Sequence, residues 1–243
     1  ICYLPNKKRM ANNLQYLMQF DILTLFPQMI TPFFEESILG RAIKDKAVRI
    51  LVHDIRAAAV DRHRSVDDRP YGGGTGMVLR FDVMDRALTM VKSKRQKTRS
   101  RTILLTPQGE RFTQAVAERL AHDYERLILI AGHYEGFDER IRTLVDEEIS
   151  LGDFVLTGGE LPALALVDAV SRLIPGVLEK GVAQTDSFTL RDEHGKRLLE
   201  YPHYTYPREY HRMKVPDVLL SGDHAQIAAW RLAQAKQRTK NSE

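Results

Sequence analysis

Short runs of branched and aromatic hydrophobics alternate along the chain with segments whose apolar residues recur at helical spacing. FDILTLF (20–26), VRILVHDIR (48–56), TILLT (102–106) and RLILIAG (126–132) are rich in Ile, Val, Leu and Thr, the pattern of strands buried on both faces. FDVMDRALTMVKSK (81–94), FTQAVAERLAHDY (112–124) and DERIRTLV (138–145) instead space their hydrophobics for one face of a helix. That alternation predicts an α/β domain with a parallel sheet and crossover helices. EISLGDFVLTGGELPALALVDAVSRLIPG (148–176) extends it with a strand, a glycine turn and a helix ending at Pro175-Gly176. The helix is so apolar that it is expected to be buried on most sides.

Beyond residue 178 the pattern changes. EKGVAQTDSFTLRDEHGK (179–196) is polar, broken by Gly181 and Gly195 and without a clear period, which reads as an interdomain linker. A second domain over 197–243 is expected to be small and mainly helical, with an alanine-rich helix at 224–238 that Ser221 or Asp223 can cap. At the other end, residues 1–17 hold a Lys7-Lys8-Arg9 cluster and no long apolar stretch, so they read as a flexible extension rather than a secretory signal. Met18 opens the first strand and is a candidate natural start, leaving 18–178 as the main domain.

Composition adds limits. Of 243 residues, 43% are hydrophobic and 28% charged, enough for a real core. The net charge of +4 suits a polyanionic partner, though many proteins that never touch RNA share it. The single cysteine, Cys2, excludes an internal disulfide framework and a Cys-based zinc site, pointing to the cytoplasm. No run approaches the roughly 18 apolar residues of a membrane span. His53, His63, His133, His203, His211 and His224 show no metal-ligand spacing, so no metal site is expected.

Glycines mark the candidate chemistry. Thr106-Pro107-Gln108-Gly109, Gly132 to Gly136 and Gly152 to Gly159 each follow a predicted strand, and carboxyl-end loops are where α/β folds bind ligands. Any one of them is accounted for by ordinary turn chemistry; three together favour a ligand site. The loop Arg69 to Met77 lacks the Lys-Ser/Thr ending of a phosphate-binding loop, and GxGxxG is absent throughout. It reads equally as a plain loop or a ligand loop. KSKRQKTRSR (92–101) carries six basic residues in ten, either a solvated loop or a strip that meets phosphates. Tyr201, His203, Tyr204, Tyr206 and Tyr210, among Arg208 and Arg212, either stack on single-stranded RNA or pack on their own domain. From the pattern alone, Arg172 is as well explained by an ion pair with Asp168, and Asp186 by a turn or a cap.

Longer motifs are more specific. DDRPYGGGTGM (67–77), LTPQGERF (105–112), AGHYEGFDER (131–140), LGDFVLTGGELPALALVDAVSRLIPGVL (151–178), DSF (186–188), PHYTYP (202–207) and VLLSGDH (218–224) stand in this order. In that order the chain resembles the bacterial tRNA (guanine-N1)-methyltransferases over about residues 18–238. Thr75 departs from the usual proline of the glycine loop, and His133 from the common arginine before Tyr-Glu-Gly.

The resemblance implies more than periodicity does. Periodicity alone gives an unknotted Rossmann-like sheet, since knots are almost absent from proteins. The family implies a SPOUT-type α/β fold with a deep trefoil knot whose loops bind S-adenosylmethionine. It also implies a homodimer with active sites at the subunit interface and a C-terminal domain that grips tRNA. The cofactor residues carried over are Leu105, Thr106, Pro107, Gln108 and Gly109, then Gly132, Tyr134 and Glu135. Leu151, Gly152, Asp153, Phe154, Val155, Leu156, Gly158 and Gly159 complete them. Gly76, Gly222 and Trp230 fall at substrate-binding positions. Asp186 falls at the catalytic aspartate and Arg172 at the catalytic arginine. The implied target is the guanine just 3′ of the anticodon, and magnesium is implied as an aid.

Those residue types suit the chemistry. Guanine N1 carries a proton that a carboxylate can remove as the methyl group arrives, and a guanidinium can stabilise the charge developing on O6. Competing expectations are a SPOUT enzyme for another RNA base, a non-catalytic RNA-binding relative, and an ordinary nucleotide-binding α/β enzyme. The DSF and SRLIPG motifs, the presence of both Asp186 and Arg172, and the lack of a phosphate loop argue against each in turn.

Overall fold

The computed structural model describes residues 17–93 and 98–242. The extension expected at 1–17 and the middle of the basic stretch at 92–101 therefore lie outside the described residues, apart from their ends. The chain divides after Leu178 into two compact units.

In the first unit, β1 (Met18–Thr24) leads through α1 (Pro27–Ile30) and α2 (Ser37–Lys44) to β2 (Val48–Asp54). The short strands β3 (Asp67–Asp68) and β4 (Val78–Leu79) pair with each other before α3 (Phe81–Lys92). Then come β5 (Ser100–Arg111), α4 (Gln114–Asp123), β6 (Arg126–Ala131), β7 (Glu147–Ser150) and α5 (Glu160–Ser171). Five strands form one parallel sheet in the order β2-β1-β6-β5-β7.

Strand side chains alternate between faces, and that alternation splits the core into two layers. Met18, Phe20, Ile22, Leu127 and Leu129 pack with α2, α4 and α5 through Leu39, Val116, Leu120, Leu166 and Val170. Leu23, Leu104, Ile128 and Ile130 face the other way, onto Val83, Met84, Leu88 and Val91 of α3. Helices on both faces explain why the sequence shows unbroken apolar runs instead of alternation.

A charged cluster sits inside this second layer. The carboxylate of Asp21, 1% exposed, accepts from Arg126 Nε at 2.7 Å and from Gln19 Nε2 at 2.7 Å, and faces His53 Nε2 at 2.7 Å. Arg126 also donates to the Val91 carbonyl at 3.0 Å, tying the sheet to α3. A buried charge is tolerated only when paired and hydrogen-bonded in this way.

Three elements differ from their sequence pattern. DERIRTLV becomes a six-residue 3-10 helix, Glu139–Leu144, rather than an α-helix. Asp138 caps it by accepting from the Arg140 amide, and Val145 is already extended, so no length remains for a second α-turn. α5 stops at Ser171, before Pro175, and its last turn tightens through Leu173 N–H to the Val170 carbonyl at 3.1 Å. Proline disfavours helical geometry in the residue before it. Finally, α2 has no counterpart in the pattern reading.

The second unit contains α6 (Val182–Thr185), the hairpin β8 (Glu209–Tyr210) and β9 (Met213–Lys214), and α7 (His224–Asn241). Asp223 caps α7 by accepting from the amides of Ala225 and Gln226, both at 3.0 Å. Residues 186–200 fold back on themselves: Phe188 N–H reaches the Leu198 carbonyl at 2.7 Å and Leu198 N–H the Leu190 carbonyl at 2.8 Å.

Candidate active site at the carboxyl edge of the sheet

The first loop is extruded from within a strand. Leu105 and Glu110 both pair with Ile149 of β7, so Thr106 to Gly109 bulge out between them. A Cβ on Gly109 would strike the backbone of Glu148 and Ile149. Glycine is thus needed there for β5 to rejoin β7. Thr106 Oγ1 donates to Gln108 Oε1 at 3.0 Å, and Arg142 Nη2 donates to the same oxygen at 2.6 Å.

The second loop follows β6. Gly132 lies directly under the Phe137 ring, with no room for a side chain. Tyr134 then takes a positive φ of 62° and Gly136 one of 121°, which turn the chain back. The return is fixed by backbone bonds to β4 and the residue before it. Glu135 N–H reaches the Met77 carbonyl at 3.1 Å, Leu79 N–H the Gly136 carbonyl at 3.0 Å, and Asp138 N–H the Leu79 carbonyl at 3.0 Å. Gly76 abuts the Glu135 side chain, so the glycine loop at 69–77 ends against this second loop.

The third loop runs from β7 to α5. Ser150 Oγ donates to the Gly152 carbonyl at 3.1 Å, and Phe154 N–H reaches the same carbonyl at 3.0 Å, forming a tight turn. At its far end Gly159 N–H donates to the Gly132 carbonyl at 2.8 Å. A Cβ on Gly159 would lie 2.7 Å from both Ala131 Cα and Gly132 N. Backbone against backbone is therefore how the third loop locks to the second.

Together the loops enclose a cavity of about 290 Å³, near the lower end of the roughly 300–1,000 Å³ typical of small-molecule sites. Fourteen of the sixteen residues expected to bind cofactor line it. The other two, Gly109 and Asp153, are not among its lining residues; Asp153 is exposed and paired with Arg111. Apolar walls come from Leu105, Ile149, Leu151 and Leu156, and negative charge from Glu135, Asp138 and Glu139. Hydrogen bonds from Arg140, outweighing a smaller burial cost, hold the Asp138 carboxyl below the ordinary carboxylate range. Arg142 is held protonated by its bond to Glu148 and then by Glu139.

Several lining residues escaped the sequence reading. Asp138, Glu139 and Arg142 come from the segment read as helical and Phe137 immediately precedes it; nothing in its spacing says that it curls beside the cavity. His133 lies in the candidate loop Gly132 to Gly136 and was noted as a departure from arginine, but it was not itself chosen as a site residue. Elsewhere, Arg172 follows the last residue of α5 in the first unit, and Asp186 follows α6 in the second; both are half-buried. Gly222 has a positive φ of 75° just before the Asp223 cap, and Trp230 lies on α7 with its ring 6.3 Å from that of Tyr204. Among the described residues no group of three or more His, Cys, Asp or Glu side chains could hold a metal ion, and no helix is long and apolar enough to cross a membrane.

Comparison with known proteins brings these features together. Residues 18–243 match the model of the family described as tRNA (Guanine-1)-methyltransferase TrmD. The chain is 52% identical over 223 residues to a protein of Dehalococcoides mccartyi named tRNA (guanine-N(1)-)-methyltransferase, covering 91% of this chain and 87% of that one. A protein of the same name from Syntrophotalea carbinolica is also 52% identical, with the same coverage. One from a Geobacter species is 52% identical over 224 residues, 91% of this chain and 86% of its own.

Proposed function

The chain belongs to the tRNA (guanine-1)-methyltransferase family, and from that premise we propose that it transfers a methyl group from S-adenosylmethionine to N1 of the tRNA guanine immediately 3′ of the anticodon, acting in the cytoplasm. The observation that carries the reading is the convergence of three strand-end loops on one cavity. Its residues fit the methyl donor: apolar walls for the flat adenine, exposed backbone groups for its edges and the ribose, and the carboxylates of Glu135, Asp138 and Glu139 for cationic groups. Magnesium enters the proposal only as an aid; among the described residues no group of three or more His, Cys, Asp or Glu side chains is placed to hold it.

When bound, S-adenosylmethionine supplies a methyl group already activated on a sulfonium. What remains for the protein is to place guanine N1 in line with it and to handle one proton. Asp186 takes the N1 proton onto its carboxylate, freeing the lone pair that forms the new N–C bond. The S–C bonding electrons stay on sulfur. Arg172 stabilises the negative charge that builds on O6, and its fixed planar fork suits that oxygen.

Two larger features belong to the same proposal. A knot is supported by the path of the chain: having reached the sheet edge at β7, it returns past β5 so that Gly159 bonds to Gly132 after β6. A homodimer with the active site at its interface is supported by exposed apolar side chains on the third loop and α5, namely Phe154, Val155, Leu156 and Leu161. The second unit, with Tyr206 and Tyr210 exposed and α7 basic in its last turn, is assigned to tRNA binding, where Gly222 and Trp230 contribute. Gly76, beside Glu135, is assigned to the substrate side of the cavity.

The test uses purified protein and a tRNA transcript with two consecutive guanines at the 3′ edge of the anticodon. Labelled methyl should enter the wild-type transcript and vanish when the target guanine is replaced. Asp186→Ala should lower turnover by at least about 100-fold, the usual weight of a general base, while calorimetry shows donor binding retained. Full methylation by Asp186→Ala would remove the base assignment, and absence of donor binding by wild type would remove the reading itself.

A further inference from the structure

Beneath the second and third loops lies a side-chain chain that the proposed mechanism does not use. Glu160, the first residue of α5, is 2% exposed. Its Oε1 accepts from Thr24 Oγ1 at 2.6 Å, and Thr24 is itself fully buried at the end of β1. Its Oε2 lies 3.8 Å from Nε2 of His133, a side chain that is 22% exposed and lines the cavity. The imidazole is braced on another side by Phe26, edge to face at a centroid distance of 4.7 Å. Gly158 leaves the gap through which carboxylate and imidazole meet: a Cβ there would collide with Glu160 Oε2 and lie 2.7 Å from His133 Nε2.

A carboxylate this buried is costly unless compensated. The Thr24 hydroxyl and the start of α5, where the helix dipole favours negative charge, compensate part of it. The remaining field of Oε2 acts on the imidazole in the cavity wall, 3.8 Å away, and favours a ring orientation that turns an N–H toward it. His133 sits between Gly132, whose carbonyl holds Gly159, and Tyr134, whose positive φ starts the turn. Fixing the ring therefore fixes the part of the wall where two loops join.

We propose that Glu160 is a positioning residue for the methyl-donor cavity, orienting His133 from below so that the Gly132–Glu135 loop is preorganised for the donor. The proposal rests on the methyltransferase reading of this cavity. It places Glu160 in binding of the donor rather than in chemistry, because neither Glu160 nor its Thr24 partner is among the lining residues.

The test is a double-mutant cycle on the full-length protein, with S-adenosylmethionine affinity by calorimetry and kcat at saturating donor. Glu160→Gln keeps shape and a partner for Thr24 but removes the charge, and His133→Leu removes the oriented ring. Each should raise the donor Kd about tenfold, the middle of the range for directly coupled residues, with kcat changed by less than about twofold. His133→Arg, whose cation can still meet Glu160, should recover most of the affinity. The double variant should bind no more weakly than the weaker single one. Variants that bind as wild type does, or single effects that multiply in the double variant, would overturn the role of Glu160. A wild-type protein that does not bind the donor would instead overturn the functional reading beneath it. His133→Leu and His133→Arg leave the buried carboxylate intact, so the question stays answerable if Glu160→Gln folds poorly.

Discussion

The two units hold their shape by different means. The first has a five-stranded sheet with a hydrophobic layer on each face, and its central strand β6 is buried end to end. In the second, Leu198 and Ala235 are the hydrophobic side chains that reach full burial among those described, joined by the Thr239 hydroxyl. Its order comes from local devices: the Asp223 cap, the hairpin β8–β9, the Lys236–Glu193 ion pair at 2.7 Å, and Thr239 Oγ1 receiving the Leu199 amide at 2.8 Å. A deep core can hold a concave wall rigid to within fractions of an ångström, because close-packed interiors resist deformation. Locally capped elements cannot do that, but they present exposed aromatic and basic side chains that can adapt to a large partner. The preformed cavity of the first unit follows that division, as does the proposed assignment of tRNA binding to the second.

The contrast is most sharply tested by trimming each core. Leu129→Ala, at a fully buried strand position, should cost about 3 kcal/mol and lower the main urea transition. Leu198→Ala should leave that transition and donor binding in place while lowering helical signal from the second unit. Equal effects of the two on the main transition would mean that the units do not differ as described.

Acid offers a second, smaller probe of the first unit. Burial pushes the Asp21 carboxyl up, but bonds with His53, Arg126 and Gln19 outweigh it and hold the group below its ordinary value of 3.8. A lowered folded value means that the stabilisation is complete above the ordinary value and is lost as pH falls through the folded one. Stability measured by urea should therefore drop below about pH 4, and Asp21→Asn should flatten that drop even though it weakens the protein at neutral pH. An unchanged acid slope in Asp21→Asn would show that the buried cluster is not the acid-sensitive element.

The smallest effect is expected at the Asp223 cap. Asp223→Ala removes the acceptor for two amides at the start of α7 and should fray its first turn, seen as faster amide exchange at residues 225–227 with no change in donor affinity. A changed donor affinity in this variant would contradict the separation of roles.

Much of the first unit was legible beforehand because its signals are local. Four strands announced themselves as apolar runs, and α3 and α4 as helical periods, since a sheet covered on both faces leaves little choice of residue. Glycine-rich strand ends marked the loops that line the cavity, because turns favour glycine locally. The 3-10 helix at Glu139–Leu144 was misread because six residues of helical spacing look alike whether the turn is α or 3-10. The packing role of Gly109 was not legible, because the β7 backbone that leaves no room for a side chain there lies far along the sequence.

Sequence alone determined β1, β2, β5 and β6, the helices α3, α4 and α5, where the glycine turns fall, and, through long motifs, the family. Those properties depend on neighbours within a few residues or on unbroken strings of them. Tertiary structure decided that Arg142 and Asp138 stand at the cavity, that Asp21 shares its charge with Arg126, and that Glu160 lies under His133. Asp21 and Arg126 are 105 positions apart in sequence, and Thr24 and Glu160 are 136 apart. No spacing rule links such pairs, because only the order in which strands assemble brings them into contact.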